Sequence, residues 1–290
     1  MDRNAHIPAT KRSFAGSTAA VMAAVAVVAL AIGLAVGHFV LGGSGTSAAF
    51  AGKTSVAEGD LDRAIATFTY DGKTEDITVR EAIESQVELD QAKNEDGTYT
   101  LPSADAALSV ARNRICTRVA QDKGISVSDD ELSEYASKVT GLSDIATIAD
   151  RYQLTEDQAK EIVRESALMY KLKQDVVSTD AGEAPTAPET PAEGTEDEAN
   201  ATYGAYIVAL LGDEWDGANN TWARQDGPYY AALSSESFSA DSATYAQAQK
   251  AYYVAYQQYS TNSSTASSEW TNYVNGLLSS ASIRLYTLGS

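Results

Sequence analysis

The chain has 290 residues and a formal net charge of -19 at pH 7, from 40 acidic and 21 basic residues. A field of this sign repels phosphates, which argues against nucleic acids and anionic membrane surfaces as partners. The single cysteine, Cys116, excludes an internal disulfide, and the only histidines are His6 and His38, so the chain beyond residue 38 contains no imidazole.

The N-terminal region predicts a single transmembrane helix. Ala19–Leu41 contains no Asp, Glu, Lys or Arg, and at 1.5 Å per residue it spans roughly 35 Å, enough to cross a hydrocarbon core of about 30 Å. Three basic residues precede the span, whereas the first basic residue after it is Lys53. The positive-inside rule therefore predicts a cytoplasmic tail at 1–13, an anchor at 14–41 and an extracytoplasmic region at 42–290.

Two further features of this region leave alternatives open. Ala49-Phe50-Ala51 has the small-x-small form that signal peptidases accept, so secretion after cleavage near Ala51 is the alternative to a retained anchor. Gly33 and Gly37 are four residues apart, a spacing that allows two membrane helices to approach closely and form a weak dimer. An Ala- and Gly-rich span also produces that spacing by chance.

The residues after the span predict a tether and then a helical domain. Residues 42–60 are rich in Gly, Ser, Thr and Ala, which is typical of a flexible tether. A folded domain is predicted over 61–177. It begins with a strand at Ala64–Tyr70 that ends in a Gly turn, and a capping box at Thr78 then opens a short helix toward Ala92.

Capping residues and apolar periodicity predict four more helices in this domain. Their predicted ranges are 103–123, 128–139, 143–152 and 155–177. Cys116 borders the apolar stripe of the first of them, and we expect it to be a buried, inert thiol. The last of them carries two apolar stripes, so it packs against two neighbours or leaves one face for a guest.

The C-terminal part differs in composition. Residues 178–200 contain Pro185, Pro188 and Pro191, seven acids and no base, which predicts an extended, solvated, acidic linker. Residues 201–290 hold all three tryptophans and most of the tyrosines. Three helices are predicted there, at 203–211, 244–259 and 268–280, with the tyrosine stripe of 244–259 expected to be core rather than a binding platform, and a final strand at 282–288.

The order and spacing of these elements resemble a known family. The segments "ITVREA", "VAQDKGISVSDDELSEYASKV" and "LTEDQAKEIVRESALMYKLKQDVV" are similar to the N-terminal chaperone domain of the SurA and PrsA families, and more distantly to the peptide-binding domain of trigger factor. The resemblance covers about residues 61–177. It implies that "EWTNYVNGLLSSASIRLYTL" returns to that domain, with Ile283–Leu288 pairing with Ile65–Tyr70 in a small antiparallel sheet. The predicted fold is therefore mainly α, with one transmembrane helix and a SurA N-terminal-like domain.

The sequence indicates no catalytic chemistry. The family's parvulin-type isomerase domain uses histidines, which are absent here after His38, so prolyl isomerase activity is not implied. Hydrolase, zinc and phosphate-loop motifs are missing. Residues 213–220 lack the spacing of a calcium loop and predict a polar turn. We therefore expect no catalytic residues, no cofactor and no metal ligands.

Taken with the resemblance, these features predict a membrane-anchored, extracytoplasmic, chaperone-like protein that holds unfolded or extended polypeptides. Its candidate peptide groove lies between helix 155–177 and the C-terminal helices, with acidic rims that favour basic clients. Tyr152, Met169, Tyr170 and Leu172 are predicted to line it, because Met and aromatic surfaces adapt to varied partners. The alternative is a structural or assembly protein of the cell envelope that binds one defined partner.

Overall fold

The computed structural model describes residues 50–195 and 197–286, and these divide into two units. Unit 1 comprises the described residues up to Val176 together with those from Trp270 onward, and unit 2 comprises Val177–Glu269. The predicted anchor at 14–41, with Gly33 and Gly37, lies outside the described residues. Within the part of the chain that the structure describes, no helix is both long enough and apolar enough to cross a bilayer.

Unit 1 is mainly α-helical with small antiparallel sheets. Its strands are β1 (Ser55–Val56), β2 (Ala64–Tyr70), β3 (Lys73–Thr78), β4 (Tyr99–Thr100) and β7 (Ser282–Leu285). Its helices are α1 (Val79–Glu84), α2 (Ala104–Asp122), α3 (Asp129–Thr140), α4 (Ile145–Tyr152) and α5 (Glu156–Val176). The helix predicted to reach Ala92 instead ends at Glu84, and a separate 3-10 turn covers Leu89–Ala92.

The C-terminal strand completes a three-stranded sheet of order β3-β2-β7. β7 lies antiparallel to β2, with Ala66 opposite Leu285 and Thr69 opposite Ser282. The pairing expected from the family resemblance is thus confirmed for Ile283–Leu285, and the last two residues of the predicted strand, 287 and 288, lie outside the described residues. The sheet's third strand, β3, was not predicted. It joins β2 through a tight hairpin at Asp71 and Gly72, both with positive φ, as a turn that matches the strand twist requires.

Helix starts in unit 1 follow from capping chemistry. The Thr78 hydroxyl accepts a hydrogen bond from the Glu81 amide, and the Glu81 carboxylate accepts one from the Thr78 amide. Ser128 and Glu131 form the same reciprocal pair at α3. Gly141 ends α3 with φ of 73°, a left-handed conformation that glycine adopts without strain.

The core of unit 1 includes residues that the composition assigned to a tether. Phe50 is fully buried, and its amide donates to the Tyr286 carbonyl oxygen at 3.1 Å. Val56 is also buried, and β1 pairs with β4. The residues from 50 to 60 therefore belong to the folded unit, because one aromatic and one branched side chain among small residues suffice to anchor them.

Unit 2 is inserted between Val176 and Trp270. Its helices are α6 (Ala201–Leu211) and α7 (Pro228–Leu233), and a hairpin is formed by β5 (Trp215–Asp216) and β6 (Thr221–Trp222). The prediction of two C-terminal helices was wrong, since one helix, α8, runs without interruption from Tyr245 to Ser279.

The polar middle of α8 explains that error. Ser, Thr and Asn have modest helix propensity, so a run of them reads as a break. In α8 the Thr261, Thr265 and Ser268 hydroxyls donate to the carbonyl oxygens four residues earlier, at 2.9–3.0 Å. These side chains satisfy their own polar groups inside the helix, and the run contains no Gly or Pro to end it.

An apolar cluster contributed by three helices forms a core in unit 2. Ile207 and Leu211 of α6, Leu233 of α7 and Ala248 and Ala251 of α8 are all at most 1% exposed. Aromatic rings surround this cluster, including Trp215 and Trp222 of the hairpin and the nearby Phe238.

A buried carboxylate orders the junction between the hairpin and α7. Glu214 is 2% exposed and accepts hydrogen bonds from the amides of Tyr229 and Tyr230, at 3.4 and 2.8 Å. These amides lie in the first turn of α7, where backbone donors have no partner within the helix. Gly227 leaves room for the carboxylate, because a Cβ there would lie 2.0 Å from it.

Candidate functional site

The four predicted groove residues do not line one open groove. Met169 and Leu172 are 3% and 0% exposed, so neither offers a free surface. Tyr152 is half-buried and packs against the cluster that α3, α4 and α5 form around Leu132 and Ile148. The prediction failed for Met169 and Leu172 because both stripes of helix α5 are occupied by neighbours.

Tyr170 is the one predicted groove residue with a distinct polar environment. Its ring lies 5.5 Å from that of Tyr135, and its hydroxyl accepts hydrogen bonds from Lys138 at 3.0 Å and Gln174 at 3.1 Å. The Lys138 ammonium also lies 5.1 Å from the Tyr170 ring centroid. These contacts tie α3 to α5, which is a structural role.

The clearest binding geometry lies in unit 2, where the chain holds an extended segment of itself. Residues 185–191 (PTAPETP) form neither helix nor strand. Pro188 is buried and Pro185 and Pro191 are half-buried, whereas all four intervening residues are exposed. Burial at every third position is the period of a polyproline II helix, which has three residues per turn. This stretch was expected to be a solvated linker, and it is instead seated through one edge.

Two tyrosines of α6 hold this segment by its backbone. The Tyr206 hydroxyl donates to the Thr186 carbonyl oxygen at 2.7 Å, and the Tyr203 hydroxyl donates to the Glu189 carbonyl oxygen at 2.9 Å. The two donors are three residues apart on a helix, and so are the two acceptors on the segment. The segment therefore runs antiparallel to α6, with one hydroxyl donor for every three residues of the segment.

Local structure fixes the positions of this tyrosine pair, Tyr203 and Tyr206. The Asn200 side chain caps α6 by accepting from the Tyr203 amide at 3.0 Å, and the Tyr203 ring lies 5.7 Å from the Tyr245 ring. Burial raises the pKa of Tyr206 to about 12, so its hydroxyl remains a hydrogen-bond donor at any physiological pH. Burial also raises the pKa of Tyr203, so both hydroxyls are held in place and keep their protons at physiological pH.

A row of tyrosines on α8 adds an open aromatic surface to the same unit. Tyr252, Tyr253, Tyr256 and Tyr259 form this tyrosine ladder, with ring centroids 5.7–6.4 Å apart along the chain of contacts. Tyr253 and Tyr256 are 62% and 50% exposed. The expectation that this stripe is core is wrong for these two residues, because small residues such as Ala248 and Ala251 take the inward face of the helix.

Unit 2 also carries most of the chain's net negative charge, -12 of -19. Residues 177–269 contain fourteen acidic and two basic residues. Near its two ends, the Glu269 carboxylate accepts four hydrogen bonds from the amides and hydroxyls of Ser178 and Thr179, at 2.6–3.2 Å. Those bonds lower the pKa of Glu269 to about 2.

Two other sites considered from the sequence have structural explanations. Asp216 accepts hydrogen bonds from Ala218 and Asn219 and closes the tight turn of the β5–β6 hairpin, which is the predicted polar turn. Cys116 is 1% exposed, as predicted, and burial raises the pKa of its thiol to about 11.

Sequence reasoning missed the tyrosine pair and its proline-rich segment. The signal was present in the three-residue spacing of Pro185, Pro188 and Pro191, followed twelve residues later by the first of two tyrosines three positions apart. No protein-family model, no curated protein and no solved structure matches this chain.

Proposed function

We propose that this protein is a membrane-anchored, extracytoplasmic, non-catalytic protein that holds unfolded or extended polypeptide segments. The observation that carries the proposal is the seating of residues 185–191 on unit 2 through hydrogen bonds to backbone carbonyl oxygens. Backbone carbonyls are common to every polypeptide, so this mode of capture requires no particular side chain at the two acceptor positions, Thr186 and Glu189. The tyrosine ladder supplies an exposed aromatic surface for a further segment, and Tyr side chains provide amphipathic contact area at low entropic cost.

The topology of unit 1 supports the chaperone-like part of this proposal. The chain leaves unit 1 after Val176 and returns at Trp270 to add β7 to β2, as the resemblance to the SurA and PrsA families implies. A shared fold alone does not establish a shared activity. The proposal therefore depends on the binding geometry, and the topology supports it.

The position of Phe50 supports retention of the anchor over secretion. Cleavage after Ala51 would remove a fully buried aromatic side chain and its hydrogen bond to Tyr286. Loss of a core phenylalanine side chain typically costs about 3–5 kcal/mol. A chain cut at this point would lack part of the core of unit 1, which favours a product that keeps its N-terminal segment.

The test uses the full chain in detergent or nanodiscs and a small reduced, carboxymethylated protein, poor in proline, that stays unfolded in buffer. We expect this client to bind at sub-millimolar concentration, measured by fluorescence anisotropy, and its aggregation to be suppressed. Replacing Tyr253→Ser together with Tyr256→Ser should weaken binding several-fold, because each exposed ring contributes apolar contact area.

A matched control is available on the same helix. Gln257 and Gln258 are exposed neighbours of the ladder, so Gln257→Ser with Gln258→Ser changes the surface without removing a ring. This control should bind the client as the native chain does. Absence of both client binding and aggregation suppression would remove the proposal. Recovery of one defined partner by cross-linking, without client binding, would favour an assembly role in the cell envelope.

A further inference from the structure

We infer that the tyrosine pair of unit 2 is a recognition site for polyproline II segments, occupied in this structure by residues 185–191, and that its partner is a proline-rich, basic polypeptide. The inference deepens the proposed holding function by naming the class of segment bound, and in that respect it rests on that function. Three independent features of the described residues support it.

The first feature is the three-residue period of the seated segment. Pro185, Pro188 and Pro191 lie along one edge of a polyproline II helix, since residues i, i+3 and i+6 share an edge. That edge is the buried or half-buried one, and the residues between the prolines face solvent. A segment selected only for being extended would bury alternate residues, as a strand does, or none.

The second feature is the chemistry of the receptor. Polyproline II segments form no internal hydrogen bonds, so their carbonyl oxygens are free to accept from a partner. Aromatic-lined sites use this property together with the low entropy of a preformed helix. Tyr203 and Tyr206 place one hydroxyl per turn against Glu189 and Thr186, at 2.9 and 2.7 Å. A proline nitrogen carries no donor, so recognition through carbonyl acceptors loses nothing at the proline positions.

The third feature is electrostatic. The part of unit 2 that follows the segment, residues 201–269, has seven acidic and two basic residues, and the seated segment carries a further acid, Glu189, into this field. Like charges disfavour that occupant, whereas a proline-rich segment bearing Lys or Arg would be attracted and steered toward the site. The internal segment is therefore a replaceable occupant, and a basic segment of the same period is the better ligand.

The internal segment, residues 185–191, also competes with any external partner for the site. Nine residues separate Pro191 from the start of α6 at Ala201. A tether of this length gives an effective concentration on the order of millimolar, so the site is mostly filled unless a partner competes. Loosening the internal segment should then raise the apparent affinity for a partner without any new contact.

The experiment measures binding of fluorescein-labelled peptides to the full chain in nanodiscs. The probe is four repeats of Pro-Lys-Ala, and the matched peptide is four repeats of Ala-Lys-Ala, which has the same charge without proline. The internal segment is loosened by Ala187→Pro together with Pro188→Ala, which keeps composition and charge but breaks the three-residue period. Circular dichroism checks that the helix content is unchanged.

We expect the loosened chain to bind the Pro-Lys-Ala peptide about tenfold more tightly than the native chain, since the internal competitor is removed. Adding Tyr203→Phe and Tyr206→Phe to the loosened chain keeps both rings and removes both donors. Each lost hydrogen bond should weaken binding about fivefold. The Ala-Lys-Ala peptide should bind at least tenfold more weakly, and four repeats of Pro-Glu-Ala should also bind more weakly.

Equal binding of the two Lys peptides would overturn the inference by showing that charge alone governs the contact. Equal affinity of the native and loosened chains would overturn it by showing that residues 185–191 do not occupy the site. If the proline-poor unfolded client binds and the Pro-Lys-Ala peptide does not, the holding function stands and this inference falls. If the Pro-Lys-Ala peptide binds as expected and the client does not, the assignment of the site stands and the general holding function falls.

Discussion

Two helical glycines in opposite surroundings, Gly204 in unit 2 and Gly276 in unit 1, offer a direct test of the packing around each helix. Gly204 lies inside α6 and is buried, and a Cβ there would lie 2.5 Å from the carbonyl oxygens of both Ser239 and Ala240. Gly276 lies inside α8, and a Cβ there would meet nothing within 4 Å. The same substitution, glycine to alanine, should therefore have opposite effects at the two sites.

The magnitudes follow from two terms. Alanine is favoured over glycine in a helix interior by about 1 kcal/mol at either site. At Gly204 the added methyl group must displace backbone atoms, and overpacking of this kind costs about 3 kcal/mol at the upper end of its usual range. The net expectation is a loss of about 2 kcal/mol for Gly204→Ala and a gain of up to about 1 kcal/mol for Gly276→Ala.

The loop facing Gly204 cannot easily retreat. Ser239 and Ser242 exchange two backbone hydrogen bonds, and Ala243 exchanges two more with Asn200 at the start of α6. The Ala240 amide also donates to the Asn220 side chain at 3.2 Å. This bonding on both sides of the contact is the reason for placing the overpacking cost near the top of its range.

Amide hydrogen exchange resolved to individual helices is the appropriate measurement, because a protein of two units need not unfold in one step. We expect amides of α6 to exchange about thirtyfold faster in Gly204→Ala, and amides at the end of α8 to exchange several-fold more slowly in Gly276→Ala. Stabilisation of α6 by Gly204→Ala, matching the effect at Gly276, would refute the close approach of the loop to the helix.

Three further outcomes test individual groups. Glu214→Ala should destabilise unit 2 by about 2 kcal/mol, because it leaves the amides of Tyr229 and Tyr230 without an acceptor. Glu214→Gln should cost less, because its side-chain oxygen can still accept a hydrogen bond. Equal denaturation midpoints for the native protein and the Ala variant would contradict the role of Glu214 at the start of α7. Cys116, with its pKa raised to about 11, should react with iodoacetamide at pH 8 at least about a hundredfold more slowly than an exposed thiol until the protein is unfolded. Glu269, with its pKa lowered to about 2, should keep its hydrogen bonds to Ser178 and Thr179 above pH 4.5 and lose them only as the pH falls toward 2. The chemical shifts of the Ser178 and Thr179 amides would follow this loss. A Glu269 carboxyl group that titrates near 4.5 would argue against these bonds.

Local signals in the sequence located most of unit 1. The capping boxes at Thr78 and Ser128 mark the observed starts of α1 and α3, since each uses groups only three residues apart. β3 was missed because its sequence, KTEDIT, is mostly polar and shows no alternation of apolar and polar residues. A polar sequence suits an edge strand that has one face exposed to solvent. The formation of a charged edge strand depends on its partner strand and on the turn that joins them. The residue pattern of the strand alone does not reveal this pairing.

The candidate site was harder to anticipate because its two halves carry opposite sequence signals. The acidic, proline-rich composition of residues 178–200 predicts a solvated, extended segment. The burial of one edge of residues 185–191 depends on helix α6, which begins only at Ala201. Tyr203 and Tyr206 in turn look like ordinary core residues of a short helix. Tertiary folding brings the extended segment against the two hydroxyl donors. Neither the proline-rich sequence nor the sequence of the short helix shows this contact.

The hydrogen bonds from Ser178 and Thr179 to Glu269 help to explain how unit 1 can complete its sheet although unit 2 is inserted into it. Pairing of Thr69 with Ser282 closes a loop of about two hundred residues, and loop closure costs about 0.6 kcal/mol for each doubling of length. Once unit 2 is folded, the bonds from Ser178 and Thr179 to Glu269 hold its two ends together. The flexible length that β7 must close is then nearly halved, which saves about 0.5 kcal/mol. Folding of unit 2 should therefore favour closure of the β2–β7 pair, and an insertion with joined ends is the kind that a host domain tolerates.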